Sequence, residues 1–131
     1  MRYRIVPVTP FRQNCSLLWC PDSLKAAVVD PGGDLDLIQA AIGEAGVTVE
    51  KVLITHGHAD HAGGAAELSE RLEVPIEGPH LDDAFLIEAM AKQAQRTGLT
   101  AARSFAPSRW LDDGDVVQIG QLSLSVLHCP G

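Results

Sequence analysis

The stretch Thr55-His56-Gly57-His58-Ala59-Asp60-His61-Ala62-Gly63-Gly64 decides how the rest of the chain is read. Three of the five histidines fall within six residues here, with one carboxylate among them. Upstream, Lys51-Val52-Leu53-Ile54 contains a short β-branched apolar run that reads as a buried strand. Downstream, Gly63-Gly64 opens into a helical pattern. The histidines therefore occupy a loop at the carboxyl end of a strand, where a rigid scaffold presents ligand and catalytic groups.

The spacing carries the chemistry. His56 and His58 are two residues apart, so an extended segment turns both rings to one side, toward one metal ion. Asp60 and His61 are adjacent, and a turn is needed to bring both toward a second position beside the first. Imidazole nitrogen and carboxylate oxygen suit zinc, iron or manganese. Two ions roughly 3.5–4 Å apart can share a water whose pKa falls toward about 7, a nucleophile at neutral pH. The bland alternative is a surface loop that is merely His-rich. The position between a strand and a Gly-Gly step favours the metal site.

Thr-His-x-His-x-Asp-His-x-Gly-Gly, as it stands at residues 55–64, resembles the signature of the metallo-β-lactamase superfamily. Gln13-Asn14-Cys15, Asp30-Pro31-Gly32-Gly33-Asp34 and Leu127-His128-Cys129-Pro130-Gly131 resemble, in order, its glyoxalase II (hydroxyacylglutathione hydrolase) branch. The resemblance implies an α/β (α+β) chain that forms the first half of a four-layer αββα metallo-β-lactamase sandwich, a mixed sheet with helices on one face. It implies one such domain over residues 1–131, cut before its third histidine ligand, which in the family follows the Pro-Gly resembling Pro130-Gly131. His128 precedes that Pro-Gly and is not the ligand in the family pattern.

The resemblance also implies a metal-dependent thioester hydrolase in the full-length parent. His56 and His58 would bind the first ion, and Asp60 and His61 the second. A metal-bridging hydroxide would be the nucleophile, with Asp60 orienting it as the catalytic residue. Two zinc ions are expected, with iron or manganese as alternatives. The 131-residue chain by itself is expected to be inactive or nearly so, because four ligands on one loop complete neither site. Two further readings stay open. One is a mononuclear-iron enzyme that oxidises glutathione persulfide. The other is a non-catalytic half-domain that self-associates through its uncovered apolar face.

Composition narrows the partners. A net charge of −7 disfavours nucleic acid and leaves no polybasic membrane patch. A small anionic thioester stays compatible, because bound metal inverts the local sign of charge. Hydrophobic residues at 46% and charged residues at 21% are globular values for one domain. Cys15, Cys20 and Cys129 are an odd, scattered set with no Cys-x-x-Cys pair, which reads as thiols in a reducing compartment. The start, Met1-Arg2-Tyr3-Arg4-Ile5, has no long apolar segment, and no run is long enough to span a membrane. A cytoplasmic location is expected.

Along the chain, strands are expected over 3–8, 14–19 and 26–29 as an antiparallel meander. Asp34 is the expected N-cap of a helix whose Leu35, Ile38 and Ile42 face the core and which Gly46 stops. Asp30 reads equally as turn chemistry or as support behind a metal ligand. Gly32 and Gly33 permit close backbone approach. A strand over 52–54 then makes the sheet mixed or parallel. A helix follows on Ala65, Leu68 and Leu72 with a Glu67–Arg71 pair, and a short strand over 74–76. One long helix is expected over about 80–97, lined by Leu81, Phe85 and Ala89, with His80 as a solvated or capping residue at its start and Gly98 as its stop. Arg96, Arg103 and Arg109 read as scattered surface charges. Asp112-Asp113-Gly114-Asp115 lacks the remaining ligands of a calcium loop and reads as a turn. Strands over 116–119 and 122–127 close a hairpin around Gly120-Gln121.

Overall fold

The computed structural model describes residues 1–99 and 101–127. Strands β1 (Arg2–Val8), β2 (Gln13–Trp19) and β3 (Lys25–Val29) form the expected antiparallel meander. The chain then crosses through α1 (Leu35–Ala45) to β4 (Thr48–Leu53), which pairs parallel with β3. β5 (Ile76–Glu77) pairs parallel with β4, so the mixed sheet runs β1-β2-β3-β4-β5.

Alternation along β3 separates two layers of core. Ala26 and Val28 join Leu17 and Val52 under Leu35, Ile38 and Leu68 of the helical side. Ala27 and Val29 face the other way, against Leu53, Val117 and Ile119. This second face is covered by the hairpin of β6 (Val116–Ile119) and β7 (Leu122–Ser125). α2 (Ala59–Ala62) and α3 (Ala65–Leu72) complete the first layer. Because β3 and β4 are parallel, their carboxyl ends lie side by side: Asp30 N–H donates to the Leu53 carbonyl at 2.9 Å. The residues after β3 and those after β4 therefore meet at one edge.

Several expectations change. Asp34 precedes α1 but does not cap it; its Oδ2 accepts from Thr9 N–H at 2.8 Å, with its backbone left-handed at φ 50°. The long helix over 80–97 is broken into a single 3-10 turn (Leu81–Asp83), α4 (Ala84–Glu88) and α5 (Met90–Thr97). The break at Ala89 shifts the buried stripe to Ile87, Met90 and Ala94, while Leu81 and Phe85 are exposed. Gln93 Nε2 donates to the Leu86 carbonyl at 2.7 Å across that break. Only two residues pair in β5, which starts two positions later than expected and ends one later. β7 ends at Ser125, and His128 to Gly131 lie outside the described residues. The expected stops hold: Gly46 and Gly98 are left-handed at φ 68° and 76°. His80 does cap the 3-10 turn, its Nδ1 accepting from Asp82 N–H at 3.0 Å.

The expected pair between Arg71 and Glu67 forms, and Arg71 also reaches Gln39 Oε1 at 2.7 Å and Asp36 Oδ1 at 3.2 Å. All of these groups are exposed. Arg71→Ala is expected to change unfolding free energy by no more than about 1 kcal/mol, read by chemical denaturation. The more buried charges are elsewhere: Glu77 meets Lys51 Nζ at 2.8 Å and Arg109 Nη1 at 3.3 Å, tying β4 and β5 to the segment that leads into β6.

Candidate metal centre

The loop after β4 places His56, His58 and His61 on one another. The His56 and His61 ring centroids are 3.9 Å apart, and the His56 and His58 rings meet edge-on at 5.0 Å. The turn needed after His58 is α2, whose first bonds run from His61 N–H and Ala62 N–H to the His58 carbonyl at 3.0 and 2.8 Å. It brings Asp60 Oδ2 to 3.6 Å from His61 Nε2.

Asp30, at the end of β3, is the hub behind these rings. It is buried and held left-handed at φ 57°, a conformation that Asp tolerates better than most residues. Its Oδ1 accepts from Thr55 N–H at 2.8 Å, and its Oδ2 accepts from Thr55 Oγ1 at 2.5 Å. The same Oδ2 lies 2.9 Å from His61 Nδ1, and Thr55 Oγ1 lies 3.0 Å from His56 Nδ1. Gln13 Nε2 secures the Asp30 carbonyl at 2.8 Å.

This network assigns the tautomers. A carboxylate only accepts, so His61 Nδ1 carries the proton it donates to Asp30. Thr55 Oγ1 gives its single proton to Asp30, so it accepts from His56 Nδ1–H. In the neutral form of each ring Nε2 is then the unprotonated nitrogen, the form a metal requires. Burial, reinforced by the charge of His61, pulls the His56 pKa below the usual histidine range. Burial also pulls His61 down, but the hydrogen bond and charge of Asp30 and the charge of Asp60 outweigh it, and the net shift is upward. Asp30, His56 and His61 are the group whose ligand-capable atoms all lie within 4.8 Å of one another among the described residues. Both Asp30 oxygens already accept hydrogen bonds, from Thr55 and His61. Three imidazoles and the Asp60 carboxylate are donors of the kind that suit a divalent ion, although His58 and Asp60 lie outside the group drawn together within 4.8 Å.

Asp30→Asn is therefore expected to weaken metal binding by about 10–100-fold. The amide nitrogen cannot accept the protons of His61 and Thr55, so the tautomers lose their anchor. Zinc titration with a chromophoric competitor measures this directly.

Backbone contacts fix the loop from both sides. A Cβ on Gly32 would lie 1.7 Å from the Asp60 carbonyl oxygen, and one on Gly64 would lie 2.4 Å from the Pro31 carbonyl oxygen. On the far side, Asp83 Oδ2 accepts from Gly57 N–H at 3.0 Å, and the Gln93 amide meets the Gly57 carbonyl and Ala59 N–H. Neither Asp83 nor Gln93 carries a sequence signal for this role; both sit in what reads as an ordinary amphipathic helix. Cys15 is no ligand candidate: burial and the Asp30 charge push its thiol up to about 12.

A recess of about 870 Å³ opens beside the rings, lined by Thr55, His56, His58, Phe85, Leu86 and Leu124 among others. A second, of about 380 Å³, lies behind the loop against Gly32, Gly63 and Arg71, with no histidine in its lining. The first is the one bordered by the His56 and His58 rings.

Residues 8–131 match the family model of the metallo-beta-lactamase superfamily, and the chain belongs to that superfamily. It is 40% identical over 132 residues to hydroxyacylglutathione hydrolase GloC of Haemophilus influenzae, covering 100% of this chain and 62% of GloC. The crystal structure of TTHA1623 in a di-iron-bound form matches with a TM-score of 0.83 at 30% identity, over 98% of this chain and 61% of that one. ETHE1 from Myxococcus xanthus shares the fold with a TM-score of 0.74 at 22% identity, over 100% of this chain and 49% of that one. The chain thus spans about 62% of the length of GloC.

Proposed function

We propose that this loop is the metal centre of a metal-dependent hydrolase that cleaves thioesters of the hydroxyacylglutathione class, in a protein of the relatives' full length. The observation that carries the reading is the Asp30 hub, which leaves Nε2 of both His56 and His61 free while committing each Nδ1. The likeness to GloC supports the thioester class. His56 and His58 would hold one ion, and Asp60 and His61 a second. Bound ions supply Lewis acidity and lower the pKa of water enough to give a nucleophile near neutral pH.

The chain's own groups do the rest. Asp60, beside His61 Nε2, accepts a hydrogen bond from the attacking water and orients it. Thr55 and Asp30 hold Nδ1 of His56 and of His61 and aim the two rings. Phe85 and Leu86 give the recess an apolar wall beside the rings. Zinc is the proposed ion, and the di-iron form of TTHA1623 makes iron the metal to compare with it. The two buried free thiols described, Cys15 and Cys20, suit a reducing, cytoplasmic compartment. No helix among the described residues is long and apolar enough to cross a membrane.

The test is hydrolysis of an S-hydroxyacylglutathione by the protein at the relatives' full length, reconstituted with zinc or iron(II), following the released thiol. Metal-dependent turnover that a chelator removes is expected. A second reading, an iron-dependent glutathione-persulfide dioxygenase, requires oxygen uptake with glutathione persulfide and no thioester cleavage; that pair of results would replace the hydrolase.

A further inference from the structure

The His loop is gripped at the peptide groups flanking His58 by one side chain from outside the signature. Gln93, on α5, lies 34 residues from Ala59, and its Oε1 accepts from Ala59 N–H at 2.9 Å. Its Nε2 donates to the Gly57 carbonyl at 3.1 Å and to the Leu86 carbonyl at 2.7 Å. All three bonds use the two faces of one carboxamide: one acceptor and two donors. Glutamine alone among side chains of this length offers that set, because glutamate has no donor and methionine has neither.

We propose that Gln93 is the positioning residue for His58. The two bonds on the loop fix the peptide planes immediately before and after His58, so they set the direction in which its Cα–Cβ bond leaves the backbone. Asp83 Oδ2 holds Gly57 N–H at 3.0 Å, so Gly57, between the two histidines, is tied through both its N–H and its carbonyl. The third Gln93 bond anchors the amide to the carbonyl of Leu86. A Cβ on Gly57 would come within 2.8 Å of Leu86 Cβ, so the loop is seated directly on that part of the chain. The broken helix over residues 84–97 is thereby explained: the break lets α4 pack under Gly57 while α5 aims Gln93 at the loop. The proposal rests on the metal-centre reading of the loop.

The experiment compares the unsubstituted protein with Gln93→Glu and Gln93→Met. Gln93→Glu keeps the bond from Ala59 N–H, loses both donors and sets a carboxylate against two carbonyls. Gln93→Met keeps the volume and removes every bond. Two quantities are read on each: cobalt(II) affinity, from its visible absorption on titration into apo-protein at a temperature where thermal unfolding shows each variant folded, and hydrogen exchange of the Ala59 amide without metal. The expected result is a cobalt affinity weakened about 10–100-fold in both variants. Exchange at Ala59 is expected at least about tenfold faster in Gln93→Met, where the acceptor is gone. Cobalt affinities within twofold of the unsubstituted protein, or unchanged Ala59 exchange in Gln93→Met, would overturn the assignment. A residue that only stabilises the fold would lower the unfolding midpoint and leave the affinity of the folded protein alone. Failure of the unsubstituted protein to bind cobalt would instead strike the metal reading, and Ala59 exchange would then decide whether Gln93 holds the loop.

Discussion

His61→Ala is expected to remove the metal from the second position and to lower thioester hydrolysis by well over about 100-fold, more than the loss of a residue that only supports a ligand. Two things vanish together in this variant. The Nε2 that faces Asp60 Oδ2 at 3.6 Å is gone, and the Asp30 carboxylate loses the Nδ1–H partner at 2.9 Å that offsets its burial. Asp30 keeps its Thr55 contacts, so the end of β3 stays tied to the end of β4. Metal content is expected to fall while the circular dichroism spectrum stays unchanged. Elemental analysis and the thioester assay on the same preparation check both halves. Full metal content and full turnover in His61→Ala would remove this residue from the site.

The second large effect belongs to a residue with no side chain. Gly32→Ala would place a methyl carbon 1.7 Å from the Asp60 carbonyl oxygen and 2.4 Å from its carbon. Both are backbone atoms, so no rotamer relieves the overlap, and α2 must move away from the loop after β3. That displacement separates Asp30 from His61. Destabilisation at the upper end of about 1–3 kcal/mol, or beyond it, is expected from overpacking of this kind, together with loss of most bound metal. Gly43 supplies the contrast. It lies inside α1 with nothing within 4 Å of an added Cβ. Gly43→Ala is expected to stabilise the protein by up to about 1 kcal/mol through helix propensity, with metal binding untouched. Thermal melts of the two variants, run side by side, should shift in opposite directions.

These two residues mark what the sequence makes legible. The three histidines, Asp60 and the Gly-Gly step are visible as a pattern, because the proposed metal chemistry calls for particular residue types at short spacing, and the strand before them is visible from its apolar run. The antiparallel-to-parallel change at β4 follows from one helix between two strands. Asp30 is half visible: a carboxylate at a strand end has two ordinary uses, and only the parallel pairing of β3 with β4 puts it behind His61 and Thr55. Asp83 and Gln93 are hidden, because a side chain that holds a backbone from 26 to 36 residues away leaves no local pattern. The same long-range grip misleads the periodicity over 80–97, where Leu81 and Phe85 suggest a continuous buried stripe and the break at Ala89 buries Ile87, Met90 and Ala94 instead. Asp34 errs for a similar reason: its carboxylate is taken by Thr9 N–H from the loop after β1 rather than by its own helix.

Metal stoichiometry tests the central claim most directly. Protein of the relatives' full length, stripped with a chelator, reloaded with zinc or iron(II) and freed of excess, should retain about one to two ions per polypeptide, as a two-position site implies. Most of that metal should be lost in the double variant His56→Ala/His61→Ala. Retention of the same amount by the double variant, or no retained metal in the unsubstituted protein with any of zinc, iron(II) or manganese, would contradict the assignment of this loop as a metal centre.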